Sequence, residues 1–219
     1  GGDGTFLGTL PVVRQSGIPV IGINTGRLGF LSSVPKEEAS KAIDDLVSGK
    51  FSVENRTLVQ VDQIHPFGEI NYGLNEFTLL KKDSSMITIH VYINDIYLNS
   101  YWADGLIIAT PTGSTAYSLS CGGPVVSPES ENFIISPIAP HHLNVRPIVI
   151  PDSGKIRLKI ESRNNEALAA LDSRSAVVDI HTELTVSKCS FKYKLVRLHD
   201  QNFPAMLRNK LMWGIDKRN

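Results

Sequence analysis

Gly1-Gly2-Asp3-Gly4-Thr5 opens the chain and runs directly into an apolar, helix-capable segment. Three glycines around one carboxylate indicate chemistry more than packing. Glycine permits positive φ and close approach of a ligand, and successive free N–H groups leading into a helix form an anion cradle. A phosphorylated ligand suits such a cradle. A lone Asp among phosphates repels them unless a metal ion or an attacking hydroxyl stands between, so the stretch points to phosphoryl transfer. It is not the P-loop pattern, which needs G-x-x-x-x-G-K-[ST], because no lysine follows these glycines. The bland reading is a tight surface turn. Such a phosphate turn is normally launched from a strand, and none precedes Gly1, so the sequence is expected to be a piece of a longer protein.

Outward from this stretch, residues 5–15 read as a short helix with Phe6, Leu7, Leu10 and Val13 at helical spacing, bent or shortened by Pro11. The apolar run 18–23 reads as a buried parallel strand. Asn24 to Leu31 follow where that strand ends, the position at which α/β loops bind ligands. Pro35, Glu37 and Glu38 start an amphipathic helix with Ala39, Ala42, Ile43, Leu46 and Val47 inward and Gly49 beyond its end.

After Lys50 the pattern changes to short alternating segments separated by turn residues. Strands are expected at 53–61, 72–80, 86–93 and 96–102, with Asn94-Asp95 as a two-residue hairpin turn. More follow at 106–109, 133–138, 148–150, 156–160, 167–171, 177–180, 184–186 and 191–198, which implies a sandwich or layered antiparallel sheet. Residues 204–213 regain helical spacing. The expected class is therefore α/β plus all-β. A truncated Rossmann-like α/β domain (1–50) precedes a β-sandwich-like domain (51–199), and a C-terminal helical tail (200–219) packs back on the first.

The composition admits a folded core, with 219 residues of which 42% are hydrophobic. Basic and acidic residues number 22 each, so no whole-molecule field points to nucleic acid or an anionic membrane. Cys121 and Cys189 form no C-x-x-C, which favours buried thiols in a reducing cytoplasm. No apolar run approaches membrane-spanning length.

Two further stretches carry chemistry. Thr110 to Pro124 holds hydroxyls at 110, 112, 114, 115, 117, 118 and 120, with Gly113 opening a short helix and Gly122-Gly123 closing it. That is a polar lining for a ligand rich in oxygen and nitrogen, or a hydroxyl-rich structural cap. Asn75-Glu76 lies inside an otherwise apolar strand. Buried there, its hydrogen bonds need a partner such as a ribose or base amine; at an edge they face water. His141-His142 lacks further ligands nearby and reads as loop.

GGDGTF (1–6), GINTGRLGFL (22–31), NEF (75–77), ADGLIIATPTGSTAYSLSCGGP (103–124) and PHHLNVRP (140–147), in this order, resemble the ATP-dependent NAD kinases, with Leu171-Asp172-Ser173 as a looser tail. The resemblance implies transfer of the ATP γ-phosphoryl group to the 2′-hydroxyl of the adenosine ribose of NAD. It implies Asp3 as the carboxylate that deprotonates that hydroxyl, and Gly2, Gly4 and Thr5 at phosphates. Asn75 and Glu76 would hold the NAD adenosine, Gly4 and Thr115, Ala116, Tyr117 and Ser120 would line NAD, and Asp104 would meet the nicotinamide half. Mg²⁺ or another divalent cation would bridge the ATP phosphates without a dedicated protein cage. A cytoplasmic homodimer or homotetramer is implied, with no nucleic-acid or membrane partner. The departures are Pro11 in the first helix and Asp172-Ser173 where many members have Asp-Gly, and Arg174 beside it is a phosphate ligand or a surface charge. Two alternatives stand beside this reading: a non-catalytic dinucleotide-binding fragment, and a lipid kinase of the diacylglycerol or sphingoid type.

Overall fold

Two helices, α1 (Asp3–Leu7) and α2 (Leu10–Val13), stand where one was expected in the computed structural model, which describes residues 1–26, 29–62, 67–198 and 202–213. Pro11 has no N–H to give and fits only in a first turn, so the chain breaks at Gly8-Thr9 and restarts with Pro11 near the new N-terminus. The Thr9 hydroxyl donates to the Phe6 carbonyl (2.6 Å), and Phe6 and Leu10 are buried.

The expected strand over 18–23 is mostly absent. Pro19 lacks a ladder donor, Ile18 is exposed, and Val20 makes a single bridge to Leu195. Only β1 (Ile23–Asn24) pairs, in parallel with β2 (Val34–Pro35). A short 3₁₀ turn, Lys36–Glu38, leads into α3 (Ala39–Val47). Its packing stripe runs through Ala39, Ala42 and Leu46, which leaves Ile43 and Val47 exposed on the outer shoulder instead of inward.

The chain folds as two units, Gly1–Arg56 with Tyr193–Asn219, and Thr57–Lys192. The expected strand 53–61 accordingly splits. Its first part, β3 (Phe51–Arg56), pairs antiparallel with β16 (Tyr193–Leu198), while β4 (Val59–Val61) belongs to the second unit. The boundary thus falls after Arg56 and not after Lys50, and Tyr193–Leu198 joins the first unit. Helix α5 (Phe203–Leu211) also belongs to it. Asn202 caps α5 by accepting the Ala205 N–H (2.9 Å), Pro204 lies in its first turn, and Met206 is buried. Residues 214–219 of the expected tail lie outside the described residues.

The second unit is built from two antiparallel six-stranded sheets. One contains β6 (Glu76–Lys81), β9 (Gly105–Ala109), β10 (Asn132–Ile138), β11 (Ile148–Pro151), β13 (Glu166–Leu171) and β14 (Arg174–Asp179), in the order β11-β10-β9-β6-β13-β14. The other contains β4, β5 (Tyr72–Gly73), β7 (Ile87–Ile93), β8 (Ile96–Ala103), β12 (Ile156–Glu161) and β15 (Leu184–Lys188), in the order β5-β4-β15-β12-β7-β8. Alternate residues such as Phe77, Leu79, Ile89, Val91, Ile108, Phe133 and Leu158 form one core cluster. Ile107, Ala109 and Ile134 point the other way into a smaller cluster with Cys121 and Val126, so β9 is buried on both faces. The Asn94-Asp95 turn joining β7 and β8 has φ of 49° and 66°, the left-handed pair that a tight hairpin requires. Among the described residues no helix is long and apolar enough to cross a membrane.

Candidate active site

In the first unit Asp3 is the first residue of α1, and Gly2 precedes it in extended conformation (φ −87°, ψ −169°). Glycines 2 and 4 are not at positive φ, so the conformational freedom expected of them is not used. What Gly2 and Gly4 supply is space, because a Cβ on either would meet nothing within 4 Å. Thr5 is exposed. The Asp3 carboxylate accepts three backbone N–H groups, from Phe30 to Oδ2 (2.7 Å) and from Leu31 (3.0 Å) and Ser32 (2.8 Å) to Oδ1. Gly29 completes this nest, since a Cβ there would collide with the carboxylate.

The loop that supplies those donors is held from behind. Asn24 is buried, donates to the Ser32 carbonyl (3.3 Å) and accepts the Gly26 N–H (2.8 Å), so it builds the loop. Arg27 and Leu28 of the loop lie outside the described residues. Two cations that the sequence reading missed also bear on it. Arg197, nearly fully buried, donates to Glu54 Oε2 (3.1 Å), Ser33 Oγ (3.0 Å) and the Phe30 carbonyl (3.0 Å). Its signal was present, because an arginine at an inward position of the apolar strand YKLVRL needs a partner. Lys210 on α5 stands 4.9 Å from the Phe30 ring centroid. Burial pulls its pKa down to about 8, against the opposing charge of Asp3. A lysine near the end of a helix carries no such signal.

In the second unit the expected strand 72–80 is interrupted. β5 ends at Gly73 in one sheet and β6 begins at Glu76 in the other, so Asn75-Glu76 marks the crossing between sheets. Both residues are buried, which removes the water-facing alternative. The Asn75 carbonyl accepts the Thr110 N–H (2.8 Å), and a Cβ on Gly113 would strike that carbonyl. Burial, and after it the charge of Asp172, raises the Glu76 pKa to about 8. Glu76 Oε2 is buried without a hydrogen-bond partner among the described residues.

The hydroxyl-rich segment divides into two roles. Thr110 donates to the Leu74 carbonyl (2.6 Å), Ser114 donates to the Pro111 carbonyl (2.7 Å) and accepts the Val126 N–H (3.1 Å), and Ser118 bonds Ser136 (2.8 Å). These three are buried and hold the loop, so they do not form the expected ligand lining. Thr115 and Ala116 are half-buried, while Tyr117 and Ser120 on helix α4 (Tyr117–Ser120) are exposed. Thr115 also donates to the Thr112 carbonyl (3.3 Å). Burial raises the Tyr117 pKa, and so do Cys121, Asp104 and Glu76, which puts these four groups in one electrostatic neighbourhood. Asp104 pairs with Lys81 (2.6 Å), a partner the sequence reading did not name.

Asp172 and Arg174 are structural. Asp172 accepts the N–H groups of Leu74, Asn75 and Glu76, and Arg174 donates to the carbonyls of Ile70 and Tyr72, so it is not a free surface charge. The His141 ring leans on Trp102 at 4.7 Å, and among the described residues no three His, Cys, Asp or Glu side chains gather as a metal site. His65 and His199 lie outside the described residues.

Residues 1–51 match the ATP-NAD kinase N-terminal domain and residues 74–198 match the ATP-NAD kinase C-terminal domain. The chain belongs to the ATP-NAD kinase family. An NAD kinase of Cytophaga hutchinsonii is 52% identical over 221 residues, covering 100% of this chain and 76% of the relative. An NAD kinase of Porphyromonas gingivalis is 46% identical, covering 98% of this chain and 74% of the relative. Among solved structures, a yeast NADH kinase complexed with NADH aligns at TM-score 0.89 and 28% identity over 99% of this chain and 65% of its own. An NAD kinase from Archaeoglobus fulgidus in complex with ATP aligns at TM-score 0.80 and 29% identity, over 96% of this chain and 79% of its own. The two matched stretches take in the Asp3 nest of one unit and the Asn75-Glu76 crossing of the other.

Proposed function

We propose that this ATP-dependent NAD kinase transfers the γ-phosphoryl group of ATP to the 2′-hydroxyl of the adenosine ribose of NAD, with Asp3 as the base. The observation that carries the reading is the Asp3 nest. A carboxylate offers about four lone-pair positions. Three converging N–H groups fix its orientation and leave one to accept the hydroxyl proton. The ribose oxygen then bonds to the γ-phosphorus as the bond to the ADP oxygen breaks, and the proton stays on Asp3. Phosphoryl transfer asks mainly for positioning and charge neutralisation, which an oriented carboxylate beside open glycine backbone supports.

The other roles follow. Gly2, Gly4 and Thr5 face phosphates, Asn75 and Glu76 hold the adenosine, and Thr115, Ala116, Tyr117 and Ser120 line its base and ribose. Asp104, tethered by Lys81, meets the nicotinamide half. Mg²⁺, carried on the ATP phosphates, would neutralise charge that otherwise repels Asp3. Self-association to a homodimer or homotetramer belongs to the same reading, supported by exposed Ile96, Trp102, Leu143 and Val149 on and beside the edge strands β8 and β11. A reducing cytoplasm suits the free thiols Cys121 and Cys189. The test is a coupled assay for NADP with NAD, ATP and Mg²⁺. Expected is NADP formation that requires all three; absence of turnover together with absence of NAD binding would overturn the reading.

A further inference from the structure

The turn between β13 and β14 carries a carboxylate that the transfer itself does not use. Asp172 adopts left-handed backbone (φ 53°), and its oxygens accept the N–H groups of Leu74 (2.8 Å), Asn75 (2.7 Å) and Glu76 (3.2 Å). Its own N–H donates to the Glu76 carbonyl (3.1 Å). Gly73 leaves the room, since a Cβ there would lie 3.1 Å from Asp172 Oδ1. Arg174 grips the same segment through the carbonyls of Ile70 and Tyr72.

Glu76 is therefore a second buried carboxyl beside one already satisfied. Two such groups do not both ionise, and the one that receives the hydrogen-bond donors and the nearby cation retains the charge. Burial raises the Asp172 pKa too, but three N–H donors and Arg174 oppose that rise, whereas Glu76 Oε2 receives no donor among the described residues, so the charge falls to Asp172. From α4, Tyr117 also faces Glu76, with Cys121 and Asp104 in the same neighbourhood. The charge of Asp104 is already met by Lys81.

We propose that Asp172 is a positioning residue of the nucleoside-binding segment. It fixes the Leu74–Glu76 backbone and keeps the negative charge of the pair, so that Glu76 meets its ligand as an uncharged acid donating a hydrogen bond from Oε2. The ligand atom is then an acceptor, a ribose oxygen or a ring nitrogen of the base. The buried, unpartnered Oε2 is the atom waiting for it. The inference rests on Asn75-Glu76 holding the NAD adenosine.

NAD binding measured by calorimetry from about pH 6 to about pH 10, with thermal melts alongside, tests it. The unaltered protein should lose affinity above about pH 8, by about tenfold per pH unit. Glu76→Gln, a neutral donor of the same shape that cannot ionise, should lack the alkaline loss, its NAD affinity staying level from about pH 7 to about pH 10. Asp172→Asn should move that loss to lower pH and raise the KM for NAD while leaving the KM for ATP unchanged, which a general loss of structure would not do. An alkaline loss that persists in Glu76→Gln, or stays in place in Asp172→Asn, overturns the inference. No NAD binding by the unaltered protein at any pH overturns the proposed function as well, so the two failures are distinguishable.

Discussion

Gly29 and the Asp3 carboxylate occupy adjoining space so tightly that a Cβ on Gly29 would overlap the carboxylate. The glycine is needed for this contact and not for its backbone angles, as it is not among the positive-φ residues. Gly29→Ala should therefore displace Asp3 from its three donors. The expected result is a stability loss of about 1–3 kcal/mol and a fall in kcat of about 100-fold or more. Denaturant unfolding and the coupled NADP assay measure both, and an unchanged kcat would separate the nest from the chemistry.

Asp3→Asn probes the same nest from the other side. An amide keeps one acceptor oxygen and turns an NH₂ toward N–H groups that need an acceptor, costing about 1–3 kcal/mol. Proton acceptance is lost as well, so NADP formation should fall by about 10²–10⁴-fold while NAD binding by calorimetry persists. Retention of full turnover would remove Asp3 as the base.

Gly113→Ala acts on the second unit. Its Cβ would press on the Asn75 backbone, which cannot swing aside as a flexible side chain could. We expect a raised KM for NAD, an unaltered KM for ATP and a stability loss of about 1–3 kcal/mol. Equal changes in both KM values would argue against a local effect on the nucleoside segment.

Stability should depend on pH through Glu76. Its folded pKa is raised from 4.5 to about 8, so the folded state holds a proton that the unfolded state releases between those values. Its contribution is fully present below pH 4.5 and is lost as pH rises through 8, with a slope of at most about 1.4 kcal/mol per pH unit. Lys210 runs oppositely at higher pH. Its folded pKa is lowered from 10.5 to about 8, so the unfolded state binds more protons in that window and stability rises with pH. Unfolding curves across this range should show the first slope flattened in Glu76→Gln. An identical slope in that variant would refute the assignment.

Most of the second unit was legible because its residues obey a period of two. Ile87–Ile93, Ile156–Glu161 and Glu166–Leu171 alternate, and Asn94-Asp95 announces its turn. The first unit was less so. Its segment 18–23 has the apolarity of a buried strand, but pairing depends on partners that the local sequence does not name, and Pro19 removes a donor. The site showed the same division. Asp3 stood out as a carboxylate among glycines, and Asn75-Glu76 as a polar pair inside an apolar run. The hydroxyls of Thr110, Ser114 and Ser118 looked alike in sequence to those of Thr115 and Ser120, and only burial separates loop-building from outward-facing ones. Asp172 and Arg174 act on segments 96 to 104 residues away and Arg197 on residues 143 to 167 away, and long-range hydrogen bonds leave little trace in local pattern.

The pairing of Arg56 with Tyr193 is the last rung of the β3–β16 ladder, and the next residue beyond each belongs to the other unit. Inside that unit, the Cys189 N–H donates to the Leu58 carbonyl (2.9 Å), so its own two ends are also tied together. Topologically, Thr57–Lys192 is a cassette spliced into the tip of a hairpin. A tight turn joining residue 56 to residue 193 would restore an ordinary ribbon, and the excised cassette would have neighbouring ends to ligate into a ring. The chain is thus a host and a guest joined through one seam.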